Sequence, residues 1–196
     1  MKFKDFYASD LNVQVLEQLD AGYAKNMKTM LDSIQRGPWS KMQKKRQKSS
    51  ILPNICLYKS LVELGVSKEE AKELVKKRAF YRAGKAHGVL EKMFHLPGFP
   101  KLFRTIMRKS MSGTDFWDSN ILCDNKEEFA IDITKCLWKD TCDYFGTPEI
   151  CEIFCLSDHV VFGNIGKLDF KRNRTLGMEG DKCDFLFEFK KTSNKR

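Results

Sequence analysis

The spacing of apolar positions changes character at Ser112-Gly113. Before that point it is helical. Leu11, Val15, Leu16, Leu19, Tyr23 and Met27 recur every three or four residues, which places them on one helical face. Gly37-Pro38 interrupts this stretch, and Pro53 opens a short apolar segment from Ile55 to Val62 that stops at Gly65. Ser67-Lys-Glu-Glu70 then supplies a capping box, in which hydroxyl and carboxylate satisfy each other's orphan backbone donors. Ala71, Leu74, Val75, Arg78, Ala79 and Arg82 keep the helical period toward Leu90 and Phe94. Pro97 and Pro100 punctuate it, and Leu102 to Lys109 predicts one more short helix.

Beyond Gly113 the period shortens to two. Thr114 to Cys123 and Glu128 to Thr134, separated by Asp124-Asn125-Lys126, predict the two strands of a hairpin. Phe129, Ile131 and Ile133 alternate with polar or small residues, so one face of the second strand is buried. A short helix is expected from Cys136 to Phe145, stopped by Gly146. Thr147 is then placed to cap, and Pro148 to begin, a helix running from Glu149 to Phe162 and ending at Gly163. Two more strands follow, Lys167 to Thr175 and Cys183 to Phe189, joined through Gly177 to Asp181.

This order predicts an α+β fold: N-terminal helices, then an antiparallel sheet of about four strands in two hairpins, with two helices between the hairpins. Residues 1–50 are expected to form a helical extension and residues 51–196 an α+β domain.

Composition narrows the function classes. No run approaches the roughly 18 apolar residues of a membrane span, and the charged start, Met1-Lys-Phe-Lys-Asp-Phe, does not resemble a secretory signal, so a cytoplasmic protein without a membrane partner is expected. The formal charge of +9 admits acidic partners but selects none. Part of the excess lies in Lys41-Met-Gln-Lys-Lys-Arg-Gln-Lys48, which a solvated helix face would explain. Nucleic acid ranks last among partners, because no zinc-finger spacing, aromatic RNP-type strand or helix-turn-helix pattern is present.

Five of the seven cysteines (Cys136, Cys142, Cys151, Cys155 and Cys183) fall in the last 61 positions. Without an export signal they are expected as reduced thiols, metal ligands or catalytic groups. On the helix after Pro148, the spacing of Cys151, Cys155, Asp158 and His159 gathers two thiols, a carboxylate and an imidazole on one face. A thiol reacts as its thiolate, which a nearby imidazole can help to form, so Cys155 with His159 one turn away meets the residue-type requirement for a nucleophile. Plain core packing explains two cysteines on an apolar helix equally well. A divalent metal on Cys151, Cys155 and Cys183 is a third reading, weakened because only Cys151 and Cys155 are closely spaced. His87 and His95 fit surface or packing roles, and Gly84-Lys-Ala-His-Gly88 lacks the context of a phosphate loop.

Several strings then stand together: Cys136-Leu-Trp-Lys-Asp-Thr-Cys142, Gly146-Thr-Pro-Glu-Ile-Cys151, Phe154-Cys155-Leu-Ser-Asp158, Arg174-Thr-Leu-Gly, and Gly180-Asp-Lys-Cys-Asp-Phe-Leu-Phe187. From Cys136 to Phe187 the chain resembles the L-2-amino-thiazoline-4-carboxylic acid hydrolase family. Leu137 departs from the pattern, standing where many relatives have proline, which bears on the helix start. The resemblance implies hydrolytic opening of a small cyclic amidine toward a carbamoyl-cysteine, without a cofactor. It further implies that Cys155 attacks the amidine carbon, His159 moves protons, Asp158 and Asp184 hold the amidinium, and Arg174 and Asp181 contact the substrate. The competing expectation is a non-enzymatic small-molecule or metal-binding sensor or interaction domain that uses the same cysteines. A homo-oligomer is left open by the sequence.

Overall fold

A computed structural model describes residues 2–190; the outer ends of the two expected segments, residues 1 and 191–196, lie outside the described residues. The chain divides into two units, Met1–Lys77 and Arg78–Arg196, with the division falling inside one helix.

The first unit contains α1 (Phe3–Phe6), α2 (Val13–Arg36), α3 (Lys41–Arg46), α4 (Leu52–Glu63) and the start of α5 (Lys68–Phe94). Asn12 caps α2 by accepting the Val15 N–H at 2.9 Å. Of the apolar positions read from the sequence, Val15, Leu16 and Leu19 are buried, Tyr23 and Met27 are half-buried, and Leu11 lies ahead of α2; Met30 and Ile34 extend the buried stripe, and Leu52, Ile55, Cys56, Leu57 and Leu61 of α4 are buried as well. Two buried polar residues on these helices are paired: Asn26 donates to Ser60 Oγ at 2.9 Å and to Glu63 at 3.2 Å, and Ser60 donates to the Cys56 carbonyl at 2.6 Å. Tyr7 is fully buried, with its hydroxyl donating to the Leu74 carbonyl at 2.9 Å.

Between α3 and α4 lies a π-helical turn, Gln47–Ile51, in which the Leu52 N–H reaches the carbonyl of Gln47, five residues back. Pro53 gives a physical reason. It sits in the first turn of α4, has no N–H, and its ring would crowd the carbonyl four residues earlier in a regular helix, so a widened turn relieves the strain. Ser67 accepts the Glu70 N–H at 3.2 Å as expected, while a complete reciprocal capping box stands at Ser40 and Gln43, where the sequence reading placed none.

The second unit holds the rest of α5, α6 (Phe99–Met111), β1 (Trp117–Asp124), β2 (Glu128–Cys136), α7 (Leu137–Tyr144), α8 (Cys151–Phe162), β3 (Leu168–Lys171) and β4 (Cys183–Phe189). The expected α+β order is present. The four strands form one antiparallel sheet in the order β1-β2-β4-β3. Register explains its core: Phe129, Ile131 and Ile133 pair with Phe187, Phe185 and Cys183, so two alternating buried stripes lie side by side. Phe103 of α6 packs on this face, its ring centroid 5.6 Å from that of Phe187. On the other face Asp132 and Asp184 are direct register partners. The β1–β2 pairing carries register shifts at Asp118/Ser119 and Ile121/Cys123.

Three local expectations are corrected. β3 covers only Leu168–Lys171 instead of reaching Thr175. The Asn173 and Arg174 N–H groups turn to Asp184 Oδ1, at 2.9 and 2.6 Å, and so leave the ladder. Pro148–Ile150 is a 3₁₀ turn ahead of α8, which begins at Cys151 rather than at Glu149. Thr147 makes no side-chain cap, because its hydroxyl donates back to the Cys142 carbonyl at 3.3 Å. Gly163 does end α8, and a Cβ there would run into the His159 carbonyl.

Candidate functional site

α8 presents Cys151 and Cys155 one turn apart, and the loop after β3 closes over them. Thr175 donates to Cys155 Sγ at 2.9 Å and lies 3.4 Å from Cys183 Sγ, at the start of β4. A hydroxyl carries one proton, so with it committed to Cys155 the Cys183 thiol donates to Thr175. The Leu176 N–H is directed at Cys183 Sγ from 3.3 Å. Cys151 also touches Cys142 of α7. The sequence skew thus becomes a line of thiols, Cys142, Cys151, Cys155 and Cys183, with Thr175 bridging the last two, and all are free. Gly177 belongs to this packing: a Cβ there would lie 2.8 Å from Cys155 Sγ and 2.9 Å from Cys151 Sγ.

The environment keeps Cys151, Cys155 and Cys183 protonated. The hydrogen bond to Cys151, followed by burial, pushes Cys155 well above the ordinary thiol range. Contact with Cys142 raises Cys151, and burial raises both Cys183 and Cys136, the last to about 12.

Behind the thiols Arg172 is buried. Its guanidinium donates to Asp158 Oδ2 at 2.6 Å and to the Cys155 carbonyl, and it stacks over the Phe185 ring at 5.0 Å. Burial raises Asp158 to about 6 against the lowering pull of Arg172. His159 lies against Phe170, with ring centroids 5.2 Å apart, and burial, then the Arg172 charge, lower its pKa, which favours the neutral imidazole. Among the described residues no hydrogen bond joins His159 to Cys155.

The remaining acids read from the sequence form a separate clamp. Asp184 accepts the two loop amides and lies 3.6 Å from Arg174 Nε, while Arg174 also pairs with Asp181 at 3.1 Å. Each carboxylate is thereby committed to holding the loop between β3 and β4.

A pocket of about 470 Å³ opens beside the thiols. Lys139 and Asp143 of α7, Glu149, Cys151 and Glu152, and the turn from Leu176 to Glu179 line it. Lys139 and Asp143 pair with each other at 2.5 Å. Of the residues singled out in the sequence only Cys151 borders this space; Cys155 is one turn on, in contact with Cys151 and under Gly177. Lys139, Arg172, Thr175 and Gly177 were not read as site residues. The i, i+4 spacing of Lys139 and Asp143 was legible, whereas nothing local separates the buried Arg172 from its neighbours Lys171 and Arg174. Among the described residues no group of three His, Cys, Asp or Glu side chains is arranged to hold a metal ion, and no helix is long and apolar enough to cross a membrane.

The model of the L-2-amino-thiazoline-4-carboxylic acid hydrolase family matches residues 44–187. No curated protein matches the chain. Among solved structures it is similar to an H-NOX domain from Shewanella oneidensis in the Fe(II)CO ligation state, with 12% identity over 87% of this chain and 99% of that one and a TM-score of 0.28. It is likewise similar to an Fe(II) unliganded H-NOX protein from K. algicida, with 11% identity over 93% of this chain and 97% of that one and the same TM-score of 0.28. Likenesses at this level carry no argument about fold or function.

Proposed function

The chain belongs to the L-2-amino-thiazoline-4-carboxylic acid hydrolase family, and on that premise we propose that it opens a small cyclic amidine such as L-2-amino-thiazoline-4-carboxylate by hydrolysis. The observation that carries the reading is the pocket beside Cys151, whose wall holds Lys139 together with Asp143, Glu149, Glu152 and Glu179. A substrate of this class has an amidinium at one end and a carboxylate at the other, so a pocket with both signs of charge suits it.

The attacking sulfur comes from the Cys151–Cys155 pair. Cys151 borders the pocket, and Cys155 is the thiol that sequence spacing couples to His159. A thiol held protonated at rest needs a cation nearby, and the substrate amidinium supplies one. Neutral His159 takes the thiol proton as sulfur attacks the amidine carbon. The ring carbon–sulfur bond then breaks, the substrate sulfur leaves, and it takes up that proton. Water adds to the resulting isothiouronium carbon, the enzyme sulfur departs as a thiol, and N-carbamoyl-cysteine is released. In this reading Asp158 and Asp184 add negative charge from behind the pocket lining, and Arg174 with Asp181 positions the loop whose turn from Leu176 to Glu179 faces the substrate.

The test is chromatographic detection of carbamoyl-cysteine from L-2-amino-thiazoline-4-carboxylate with the native chain and with Cys151→Ala and Cys155→Ala. Turnover that is lost in one of these folded variants supports the proposal. Full turnover in both would sink covalent attack by the pair, and saturable binding without turnover would reassign the pocket to a ligand-sensing domain.

A further inference from the structure

A second pocket, of about 450 Å³, lies within the first unit. Leu31, Ile34 and Gln35 of α2 form one side, and Lys41, Lys44, Lys45 and Lys48 form the other. The four lysines follow one another at intervals of three, one and three residues, which gathers them on one helical face. Lys48 belongs to the π-helical turn, a departure from regular helix that often marks functional segments.

The charge in this pocket is not balanced from within. Residues 41–51 contain no acid. Lys44 donates to the Gln35 carbonyl at 2.8 Å, and among the described residues no carboxylate pairs with Lys41, Lys44, Lys45 or Lys48. Like charges at these spacings repel one another and weaken a helix. A face that serves only solubility would intersperse acids with the lysines. Four lysines lining a concave space, with Leu31 and Ile34 as an apolar wall, instead complement a compact anion of several charges joined to an uncharged body.

We propose that this pocket binds a small organic polyphosphate, with Lys41, Lys44, Lys45 and Lys48 on the phosphates and Leu31 and Ile34 against the organic part. A nucleic-acid strand fits less well, because the lining contains no aromatic side chain for a base to stack on and the lysines cluster rather than trace a path. The site is independent of the hydrolase reading, since every lining residue belongs to the first unit.

Isothermal titration of the full chain with inorganic tripolyphosphate, then with adenosine triphosphate, tests this. Saturable one-to-one binding that tightens as salt is lowered is expected. The double variant Lys44→Gln/Lys48→Gln should bind at least about tenfold more weakly, since each lost charge-assisted contact is a substantial part of such an affinity. Lys109→Gln, at an exposed position of α6, should bind as the native chain does. If circular dichroism shows the double variant to be misfolded, Lys41→Gln/Lys45→Gln replaces it. Absence of saturable binding, equal weakening by Lys109→Gln, or tighter binding of a single-stranded oligonucleotide with several chains per strand would each overturn the proposal.

Discussion

Arg172 holds Asp158 at 2.6 Å from a position where its own side chain is 2% exposed, while that of Asp158 is 35% exposed. The same guanidinium donates to the Cys155 carbonyl, so one buried cation braces the turn of α8 that carries the thiol. Replacing Arg172 by Met leaves a carboxylate without its partner. The expected loss is about 2–3 kcal/mol, below that of a fully buried pair because Asp158 keeps contact with water. Chemical denaturation would show it, and a midpoint unchanged from the native chain would remove Arg172 from this role.

Asp158 also links stability to pH. Its folded pKa of about 6 lies above the ordinary 3.8, so the folded state holds the proton more tightly than the unfolded one. The sign follows: this contribution is complete below about pH 4 and is lost as pH rises through 6. Asp158→Asn cannot titrate, so the native chain should lose about 1–2 kcal/mol relative to it between pH 4 and 6, after discounting for solvent contact. Parallel stability profiles for the two proteins over that interval would contradict this.

Gly177 is set by space rather than by backbone angle. Alanine there would press on Cys155 and Cys151, at 2.8 and 2.9 Å from their sulfurs. The cost should be about 1–3 kcal/mol. Cys155→Ala in the same chain removes one of the two atoms and should restore part of the loss. Thermal melts of the single and double variants check this, with strict additivity as the contrary result.

Across the sheet, Asp132 and Asp184 are register partners, and the pairing is tolerated because each acid has its own donors. Lys182 pairs with Asp132, while the Asn173 and Arg174 amides hold Asp184. Lys182→Met should therefore cost about 1–2 kcal/mol. Asp132→Asn added to it should recover most of that loss, and a double variant no more stable than Lys182→Met would show that repulsion between the acids plays no part.

Thiol reactivity offers another check. Cys142, Cys151 and Cys183 are buried, whereas Cys123 near the β1–β2 turn is partly open. Brief iodoacetamide treatment of the native chain near pH 8, read by peptide mass spectrometry, should label Cys123 ahead of these three. Cys155, also partly open, should stay slow because its thiol is held protonated. Prompt labelling of Cys155 would mean that a thiolate already exists at rest.

The parts of this fold legible in the sequence are those set by neighbours along the chain. The alternation of Phe129, Ile131 and Ile133 marks β2, and the Gly163 stop ends α8 where expected. The length of β3 was not legible, because it is decided by Asp184 taking amides ten and eleven residues away. For the candidate site, the cysteine skew foretold a thiol cluster. That Arg172 is buried while Arg174 reaches outward to Asp181 depends on packing over Phe185, which no local pattern encodes.

The sheet has two outer strands, and each is poorly suited to recruiting a further one. β3 offers four residues before its backbone turns to a side chain, and it ends in Lys171. β1 is longer, but its two register shifts distort the row of hydrogen-bonding groups that an incoming strand would have to match. The capture of two amides by Asp184 therefore also shortens the strand at this edge, leaving less backbone on which amyloid-like stacking could build.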